Sequence, residues 1–423
     1  MTEVYHDIKT CRVCNSSKIE KVLELSPQYI ATTFVKSNEN NPMSKIKVPL
    51  TLMLCPNCGL VQLRETIEKD LLYKNYFYRT AINDTMKKDL LEVVEHALSQ
   101  TDINPGDIVV DIGANDCTMV SMFPNNLTRI GVEPATNINW DGVDSTIQIV
   151  NDYFSKEVVL KKTQGKKAKI ITSTAMFYDF DNPNIATNDI KSLLDSDGVC
   201  IIQVSNLLDT IKDMNFYDIV HEHLEYYSLE SLDYLMEKNG LSIIDAVTNA
   251  VNGGSIRIVV AHKERNISKS KRYEKLLDEE KKWALRDINT YEKYGVKINE
   301  LINISKNFIL NEINNGGLVI ALGASTKGNV LLQLLDIGKD LLPYISERNQ
   351  EKVGLKTLGT DIEIISEAEA RKLNPSAMLV IPWNFKNEII SRENKYIENG
   401  GKLLFLMPHP YYVTKNGETK LKN

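Results

Sequence analysis

Residues 109–116 read Val-Val-Asp-Ile-Gly-Ala-Asn-Asp, and this stretch decides the fold. An apolar, β-branched run meets an acidic residue and then Gly113, which permits a tight turn ahead of a helix. The backbone N–H groups of such a turn point at a ligand bound at the helix N-terminus. Glu133 ends the next apolar run, where its carboxylate can accept hydrogen bonds from ribose hydroxyls. The stretch therefore predicts a nucleoside-binding α/β domain.

The spacing within this turn favours a methyl-donor site over a dinucleotide site. Asn115 and Thr118 occupy the second and third glycine positions of the G-x-G-x-x-G fingerprint. An acid, a glycine turn and a second acid fit a class I methyltransferase, which binds S-adenosylmethionine, better than an NAD site. The residues predicted to hold this cofactor are Asp111, Gly113, Asn115, Asp116 and Glu133. The alternative is an ordinary strand-to-helix turn of a parallel α/β protein.

The chain on both sides of this stretch has the pattern of an α/β protein. Short apolar runs alternate with polar or helical stretches between 107 and 204; the runs lie at 108–110, 130–132, 147–150, 170–171 and 199–202. This alternation predicts a parallel sheet with crossover helices. Helical spacing of apolar residues predicts a helix that begins at Asp84 or Thr85, and another that Ser228 caps and Gly240 ends.

A second α/β pattern begins at 318–322 and continues to about residue 407. Its first turn, at 322–325, repeats the Gly-Ala step of 112–115, so two nucleotide-type openings occur in one chain. Between the two patterns, 264–315 is rich in Lys and Glu and carries an apolar stripe at helical spacing. This combination predicts an amphipathic helical connector.

Four of the six cysteines form two C-x-x-C pairs, Cys11/Cys14 and Cys55/Cys58. In a chain without an export signal, this spacing indicates a metal site rather than disulfides. Two pairs complete a tetrahedral shell of four thiolates, which suits zinc, and a closed shell predicts a structural ion. The alternative is four unligated buried cysteines. With zinc bound, the insert 15–54 must be a folded excursion, which predicts strands.

The charge balance disfavours several classes of partner. Lys and Arg number 50 against 56 Asp and Glu, so the net charge is −6, which gives no general attraction to nucleic acid or anionic lipid. An RNA methyltransferase with a zinc ribbon is therefore disfavoured. No apolar run approaches the roughly 18 residues of a membrane span, and the N-terminus lacks the features of a signal peptide. We expect a cytoplasmic protein that binds neither nucleic acid nor membrane.

Two of the six histidines and a carboxylate fall together at His221, Glu222 and His223, just before a predicted helix. An imidazole titrates near neutral pH and a neighbouring carboxylate can tune it, so His223 is a candidate general base. An H-x-H metal site and a polar strand end on the surface are the alternatives.

Ser325, Thr326 and Lys327 follow the first strand of the second pattern and open a helix. Free N–H groups and the lysine charge can hold a diphosphate there. Arg257 and Arg348 can add charge-assisted hydrogen bonds. The G-x-x-x-x-G-K spacing of a P-loop is absent, and a solvated lysine on an ordinary turn is the alternative.

Together these segments resemble, nearly end to end, the nucleotide-sugar C-methyltransferases of deoxysugar biosynthesis. That family has an N-terminal four-cysteine zinc domain, a class I methyltransferase domain and a C-terminal Rossmann-like domain. The resemblance rests on the four cysteines and on residues 73–79, 111–116, 221–224, 252–257, 323–329 and 347–349. It implies a zinc-binding domain at 1–70, a methyltransferase domain at 71–263, the helical connector at 264–315, and a Rossmann-like substrate-binding domain at 316–423.

The resemblance also implies a mechanism. A histidine matching His223 removes a proton beside the ketone of a nucleotide-linked sugar, and the resulting enolate attacks the methyl group of S-adenosylmethionine. We expect Glu222 and His221 to orient the base and the substrate, while Tyr76 and Tyr78 line the site. The C-terminal domain helps to hold the nucleotide diphosphate; the residues expected to contact the substrate are Asn252, Arg257, Ser325, Thr326, Lys327 and Arg348.

One position departs from the family pattern. Members commonly carry an active-site tyrosine directly before His-Glu-His, where this chain has Val220. Because valine donates no hydrogen bond to an enolate, methyl transfer to oxygen or nitrogen of a similar acceptor is a second hypothesis. A non-catalytic protein that binds nucleotide sugars is the third. The sequence sets no oligomeric state.

Overall fold

The computed structural model describes residues 4–31, 33–36, 42–82 and 84–422. Strands and helices alternate through most of the chain. The strands are β1 (Tyr5–Asp7), β2 (Glu20–Gln28), β3 (Phe34–Lys36), β4 (Val48–Leu54), β5 (Val61–Leu63), β6 (Glu65–Ile67), β7 (Ile108–Ile112), β8 (Thr128–Val132), β9 (Gln148–Val150), β10 (Ala168–Thr174), β11 (Leu194–Ser205), β12 (Glu225–Tyr226), β13 (Leu241–Asn249), β14 (Ser255–His262), β15 (Val319–Leu322), β16 (Tyr344–Glu347), β17 (Leu355–Thr357), β18 (Glu363–Ser366), β19 (Ala377–Val380), β20 (Lys402–Phe405), β21 (Tyr411–Thr414) and β22 (Gly417–Lys420). The helices are α1 (Lys69–Tyr73), α2 (Asp84–Leu98), α3 (Thr118–Ser121), α4 (Lys156–Thr163), α5 (Pro183–Leu193), α6 (Leu207–Lys212), α7 (Leu229–Lys238), α8 (Lys271–Lys282), α9 (Ile288–Asn314), α10 (Thr326–Leu334), α11 (Glu367–Lys372), α12 (Lys386–Arg392) and α13 (Asn394–Glu398).

The chain folds into two compact units, each assembled from three stretches of sequence. Unit 1 comprises Met1–Lys21, Leu52–Asp209 and Glu222–Asp287, and unit 2 comprises Val22–Thr51, Thr210–His221 and Ile288–Asn423. The stretch predicted as a helical connector is helical. It is shared between the units, because α8 belongs to unit 1 and α9 to unit 2.

The sheet of unit 1 has the strand order β13-β14-β11-β10-β7-β8-β9. Strands β7 to β11 pair in parallel, which confirms the predicted parallel sheet, and β14 runs antiparallel to both of its neighbours. If these seven strands are renumbered 1 to 7 in chain order, starting from β7, the order across the sheet from β9 to β13 is 3-2-1-4-5-7-6. From β7 the chain first adds β8 and β9 on one side of the sheet and then crosses to add β10 and β11 on the other side. Loops at the carboxyl ends of the strands therefore form a ligand crevice there.

Helices of unit 1 follow the predicted patterns. In α2, the residues at helical spacing are buried; they are Met86, Leu90, Val93, Val94 and Ala97. Ser228 caps α7, because its Oγ accepts a hydrogen bond from the Ser231 N–H at 3.2 Å. Gly240 follows this helix at a φ of +75°, the left-handed conformation that ends a helix.

Short antiparallel strands complete unit 1 near the cysteines. Strand β4 pairs with β5 through Leu52 and Leu63. Strand β12 pairs with β5 through Glu225 and Gln62. This pairing lays the chain that follows His223 beside the strand that follows the second cysteine pair.

Unit 2 contains a nine-stranded sheet in the order β22-β21-β20-β19-β15-β16-β18-β17-β3. The five strands from β20 to β18 pair in parallel, as the second α/β pattern predicted. The edge strand β3 comes from the insert between the cysteine pairs, and its Phe34 pairs with Thr357 of β17. Among the described residues, no helix has the length and apolar character needed to cross a membrane.

Candidate active site

The two C-x-x-C pairs form one cluster. The four sulfur atoms lie within 4.8 Å of one another, with 3.5 Å between Cys11 and Cys58 and 3.4 Å between Cys14 and Cys55. Zn–S bonds of about 2.3 Å in tetrahedral geometry separate thiolates by about 3.8 Å, so the cluster fits zinc. The hydrogen bond between Cys11 and Cys58 lowers the pKa of the Cys11 thiol and raises the pKa of the Cys58 thiol.

The glycine turn after β7 is fastened to the neighbouring strand. The Gly113 N–H donates to the carbonyl of Val132 at 2.9 Å, and Gly113 has a φ of +75°. A Cβ at this position would lie 2.7 Å from Cγ of Met176. Glycine is therefore required both for the turn and for space beside the following loop.

Glu133 ends β8 and holds this turn in place. One carboxylate oxygen accepts the Asn115 N–H at 2.9 Å, and the other accepts the Ala135 N–H at 2.8 Å. The residue is only 6% exposed, and burial raises the pKa of its carboxyl group. Each oxygen keeps a further lone pair, so the carboxylate can also accept ligand hydroxyls.

A cavity of about 300 Å³ opens beside this turn within unit 1. Gly113, Asn115 and Glu133 line it, as do Tyr76 and Tyr78, the two tyrosines expected in the active site. Sequence reasoning missed several other lining residues; they include Thr66, Tyr73, Tyr153, Phe154, Asp179, Phe180, Asp181 and Leu224. The polar end at Glu133 and the aromatic wall suit a nucleoside whose ribose and base need different surroundings.

The two tyrosines from the sequence analysis sit on a braced loop. Asn137 accepts the Tyr76 N–H at 2.9 Å and donates to the Tyr76 carbonyl at 3.1 Å. The Asn115 amide donates to the carbonyl of Tyr78 at 3.1 Å. Burial, with the charges of Glu222 and Asp179, raises the pKa of Tyr76, so its hydroxyl stays protonated.

Two of the residues predicted to hold the cofactor, Asp111 and Asp116, do not line the cavity. Asp111 accepts a hydrogen bond from Thr172 Oγ1 at 2.8 Å, and burial raises its pKa to about 7. Asp116 accepts the Ala81 N–H at 2.8 Å and the Thr118 N–H at 3.2 Å. Asp116 therefore holds backbone of the loops beside the cavity, whereas Asp111 joins β7 to the neighbouring strand β10.

The His-Glu-His segment divides between the units. His221 belongs to unit 2, where its ring nitrogen Nε2 lies 3.1 Å from the Val48 carbonyl oxygen. Burial lowers the pKa of His221 to about 4, so the ring is neutral at pH 7. Glu222 and His223 belong to unit 1 and are buried.

Contacts in unit 1 tie the end of this segment to the cavity wall. Tyr73, a lining residue, donates its hydroxyl to the Glu222 carbonyl at 3.0 Å. The His223 ring packs on Tyr178, with 4.1 Å between centroids. The Leu224 N–H donates to the Tyr178 carbonyl at 2.8 Å, and Leu224 itself lines the cavity.

Unit 2 repeats the turn of unit 1 around a second acid. The Gly323 N–H donates to the Ser346 carbonyl at 2.8 Å, as Gly113 donates to the residue before Glu133. The carboxylate of Glu347 accepts the Ala324 N–H at 2.6 Å and the Asn349 N–H at 2.8 Å. The two turns therefore share the glycine hydrogen bond and an acid that accepts a backbone N–H of the turn, although the donor follows the glycine by two residues in unit 1 and by one in unit 2.

The predicted phosphate-binding residues lie around this second turn. Ser325 caps α10 by accepting the Gly328 N–H at 3.0 Å, and Thr326 is the first residue of that helix. Lys327 forms an ion pair with Asp218. Arg348 lies 3.2 Å from Glu388 in an exposed pair.

The other two predicted substrate residues lie in unit 1. Asn252 adopts a φ of +56° in the turn between β13 and β14. Arg257 is buried and donates to Gln203 at 2.7 Å and to Asp89 at 3.1 Å. Its charge therefore already has a partner within the fold.

Three family models match consecutive parts of the chain. A zinc binding domain matches residues 11–73, a methyltransferase domain matches 82–246, and a C-methyltransferase C-terminal domain matches 250–408. In this order the three matches are those of a C-methyltransferase with an N-terminal zinc-binding domain. This enzyme is an S-adenosylmethionine-dependent methyltransferase with a structural zinc site, and its methyltransferase domain has the class I fold.

One curated relative covers the methyltransferase almost completely. "C-methyltransferase NovU" from Streptomyces niveus is 26% identical over 416 residues, which span 98% of this chain and 99% of the relative. Solved structures align with less of it. Magnesium protoporphyrin IX methyltransferase from Synechocystis is 10% identical with a TM-score of 0.34, over 44% of this chain and 90% of that chain. A methyltransferase from Clostridium acetobutylicum is 11% identical with a TM-score of 0.32, over 42% and 92% of the two chains.

Glu133 offers a test of the cofactor site. Replacing it with Gln removes the charge and turns one acceptor oxygen into a donor that faces a backbone N–H. We expect S-adenosylhomocysteine to bind about 10- to 100-fold more weakly, since hydrogen bonds to charged groups contribute about 1.5–3 kcal/mol. Calorimetric titration measures this. Asp111→Asn is the matched control, because Asp111 is equally buried but does not line the cavity; equal losses in the two variants would contradict the assignment.

Proposed function

We propose that this methyltransferase adds a methyl group to a carbon atom beside the ketone of a nucleotide-linked sugar, with His223 as the general base. The observation that carries the proposal is that the 222–224 backbone is hydrogen-bonded to Tyr73, which lines the cavity, and to Tyr178, whose neighbour Asp179 lines it. His223 does not itself line the cavity, but it directly precedes Leu224, which does.

Carbon needs deprotonation before it can accept a methyl group. Bound S-adenosylmethionine supplies an electrophilic methyl sulfonium, and the neighbouring ketone makes the acceptor carbon acidic. His223 takes the proton from that carbon, the electron pair forms the new C–C bond, and the S–CH₃ bond breaks to leave S-adenosylhomocysteine. The protonated imidazole then returns its proton to solvent.

The enolate oxygen needs hydrogen-bond donors, and Val220 supplies none. The tyrosine hydroxyls of the cavity provide this chemistry in its place. The raised pKa of Tyr76 keeps its hydroxyl protonated, so it can donate to a developing negative charge. Tyr78 lines the same cavity on the same braced loop.

The second turn supports a nucleotide as the carrier of the sugar. Gly323 makes the same backbone hydrogen bond as Gly113, and Glu347, like Glu133, accepts a backbone N–H of its turn. A chain with two such turns suits two nucleoside ligands, the methyl donor and the acceptor. Ser325, Thr326, Lys327 and Arg348 surround the second turn and are proposed to hold the diphosphate of the acceptor.

Locating a transferred label tests the proposal. The enzyme is incubated with S-adenosylmethionine carrying a ¹³C methyl group and with a panel of nucleoside-diphosphate keto-sugars, and NMR identifies the atom that receives the label. We expect a new ¹³C–C bond beside the ketone. Label on oxygen or nitrogen would overturn carbon methylation in favour of the second candidate, which Val220 motivates. Cofactor binding without turnover on any acceptor would favour a non-catalytic protein.

A further inference from the structure

A buried arginine connects the turn of the first cysteine pair, residues 11–14 and here called the zinc knuckle, with the cavity wall. Arg12 lies between Cys11 and Cys14, and only 6% of it is exposed. Its guanidinium donates to the Leu63 carbonyl and to Thr66 Oγ1. Thr66 lines the cavity, so one side chain spans from the first cysteine pair to the ligand site.

The same guanidinium faces two carboxylates. Its Nε atom lies 3.7 Å from Glu225 and 3.8 Å from Asp181, and Asp181 lines the cavity. Glu225 is 2% exposed, and within the described residues neither of its oxygens accepts a hydrogen bond. Burial raises the pKa of the Glu225 carboxyl group, and the nearby Arg12 charge opposes that shift, so Arg12 is the cation that faces this buried acid.

Glu225 belongs to the stretch that also carries His223. Strand β12 begins at Glu225, and its partner across the sheet is Gln62. Gln62 accepts the Arg12 N–H at 2.9 Å through its side chain, and the Leu63 N–H donates to the Leu224 carbonyl at 2.8 Å. Backbone and side chain of the knuckle thus both contact the strands that fix the 222–225 segment.

We propose that Arg12 is a positioning residue through which the zinc knuckle sets the geometry of the methyl-donor cavity and of the 222–225 segment. A planar guanidinium reaches Leu63, Thr66 and Glu225 at once, which a lysine ammonium at one point cannot do. The zinc fold then contributes to cofactor binding as well as to stability. The proposal extends the proposed function, but its test involves no sugar acceptor.

The test compares Arg12→Lys with Arg286→Lys. Arg286 contacts the turn of the second cysteine pair, because its guanidinium donates to the Pro56 carbonyl. It also pairs with Glu230 at 2.9 Å, and it does not line the cavity. The readouts are zinc content, melting temperature, calorimetric affinity for S-adenosylhomocysteine, and hydrogen exchange of peptides that cover 221–228. Zinc content and melting temperature report a merely structural effect, whereas the other two report positioning.

We expect Arg12→Lys to keep its zinc, to bind S-adenosylhomocysteine about tenfold more weakly, and to exchange the 222–226 amides about tenfold faster. Arg286→Lys should match the wild type in all four readouts. Unchanged affinity and unchanged local exchange in zinc-loaded Arg12→Lys would overturn the proposal. If Arg12→Lys fails to fold, Glu225→Gln replaces it, because Gln keeps the shape of the side chain but replaces one of the two oxygens beside the guanidinium with an N–H donor. The same two changes are expected, and their absence would again overturn the proposal.

Discussion

Replacing His223 with Asn is expected to reduce kcat for methyl transfer by about 10²- to 10⁴-fold, the usual contribution of a general base. Asparagine keeps a polar side chain of similar reach, but it cannot take up a proton at neutral pH. Because the ring packs on Tyr178 at 4.1 Å, the change removes some buried contact as well as the base. Stability and catalysis therefore have to be measured separately.

Proton exchange separates the two effects. A keto-sugar acceptor incubated with enzyme in D₂O, without a methyl donor, exchanges the hydrogen beside its ketone only if a base removes it. We expect His223→Asn to lose this exchange while its affinity for S-adenosylhomocysteine stays the same. His262→Asn is the control, because its ring lies 3.2 Å from the Leu194 carbonyl, away from the cavity lining. Wild-type exchange in the His223 variant would show that another group is the base.

Local sequence signals predicted much of this architecture. The strands around the glycine turn, the helix capped by Ser228 and the four clustered cysteines all depend on neighbouring residues or on short spacings. Glu133 followed from its place at the end of the second strand, and it lines the cavity with Gly113. Such features can be predicted from the sequence because a strand end and a tight turn restrict the residue types at a few neighbouring positions.

Contacts between distant segments could not be predicted from local sequence patterns. Strand β3 pairs with β17 although the two are more than 300 residues apart, and no local pattern marks a partner at that separation. Tyr73 and Phe180 line the cavity only because the fold brings α1 and the loop after β10 together. The role of Arg12 likewise depends on a strand pairing between Gln62 and Glu225.

Loss of the zinc site is expected to destabilise unit 1 as a whole. Three of the four cysteines are fully buried and pack against the seven-stranded sheet and the helices of unit 1. The hydrophobic cluster that they form includes Cys11, Cys55, Cys58, Leu60, Val110, Tyr227 and Leu232. Without the metal, the four-cysteine cluster would leave uncompensated thiolates in that core, or its turns would lose their fixed geometry. The damage would therefore not stay local to the N-terminal residues.

Cys58→Ser tests this expectation. Structural zinc contributes roughly 10–16 kcal/mol in isolated zinc fingers, and each kcal/mol shifts the melting temperature of a domain of this size by about 2–4 °C. We therefore expect loss of bound zinc and a melting temperature lower by at least about 10 °C, measured by metal analysis and circular dichroism. Cys200→Ala is the matched control, since Cys200 is equally buried in β11 but stands outside the cluster of four. Its cost should be about 1–2 kcal/mol without loss of zinc. Equal melting temperatures for the two variants would mean that the thiolates stabilise the core by packing alone, without help from the metal.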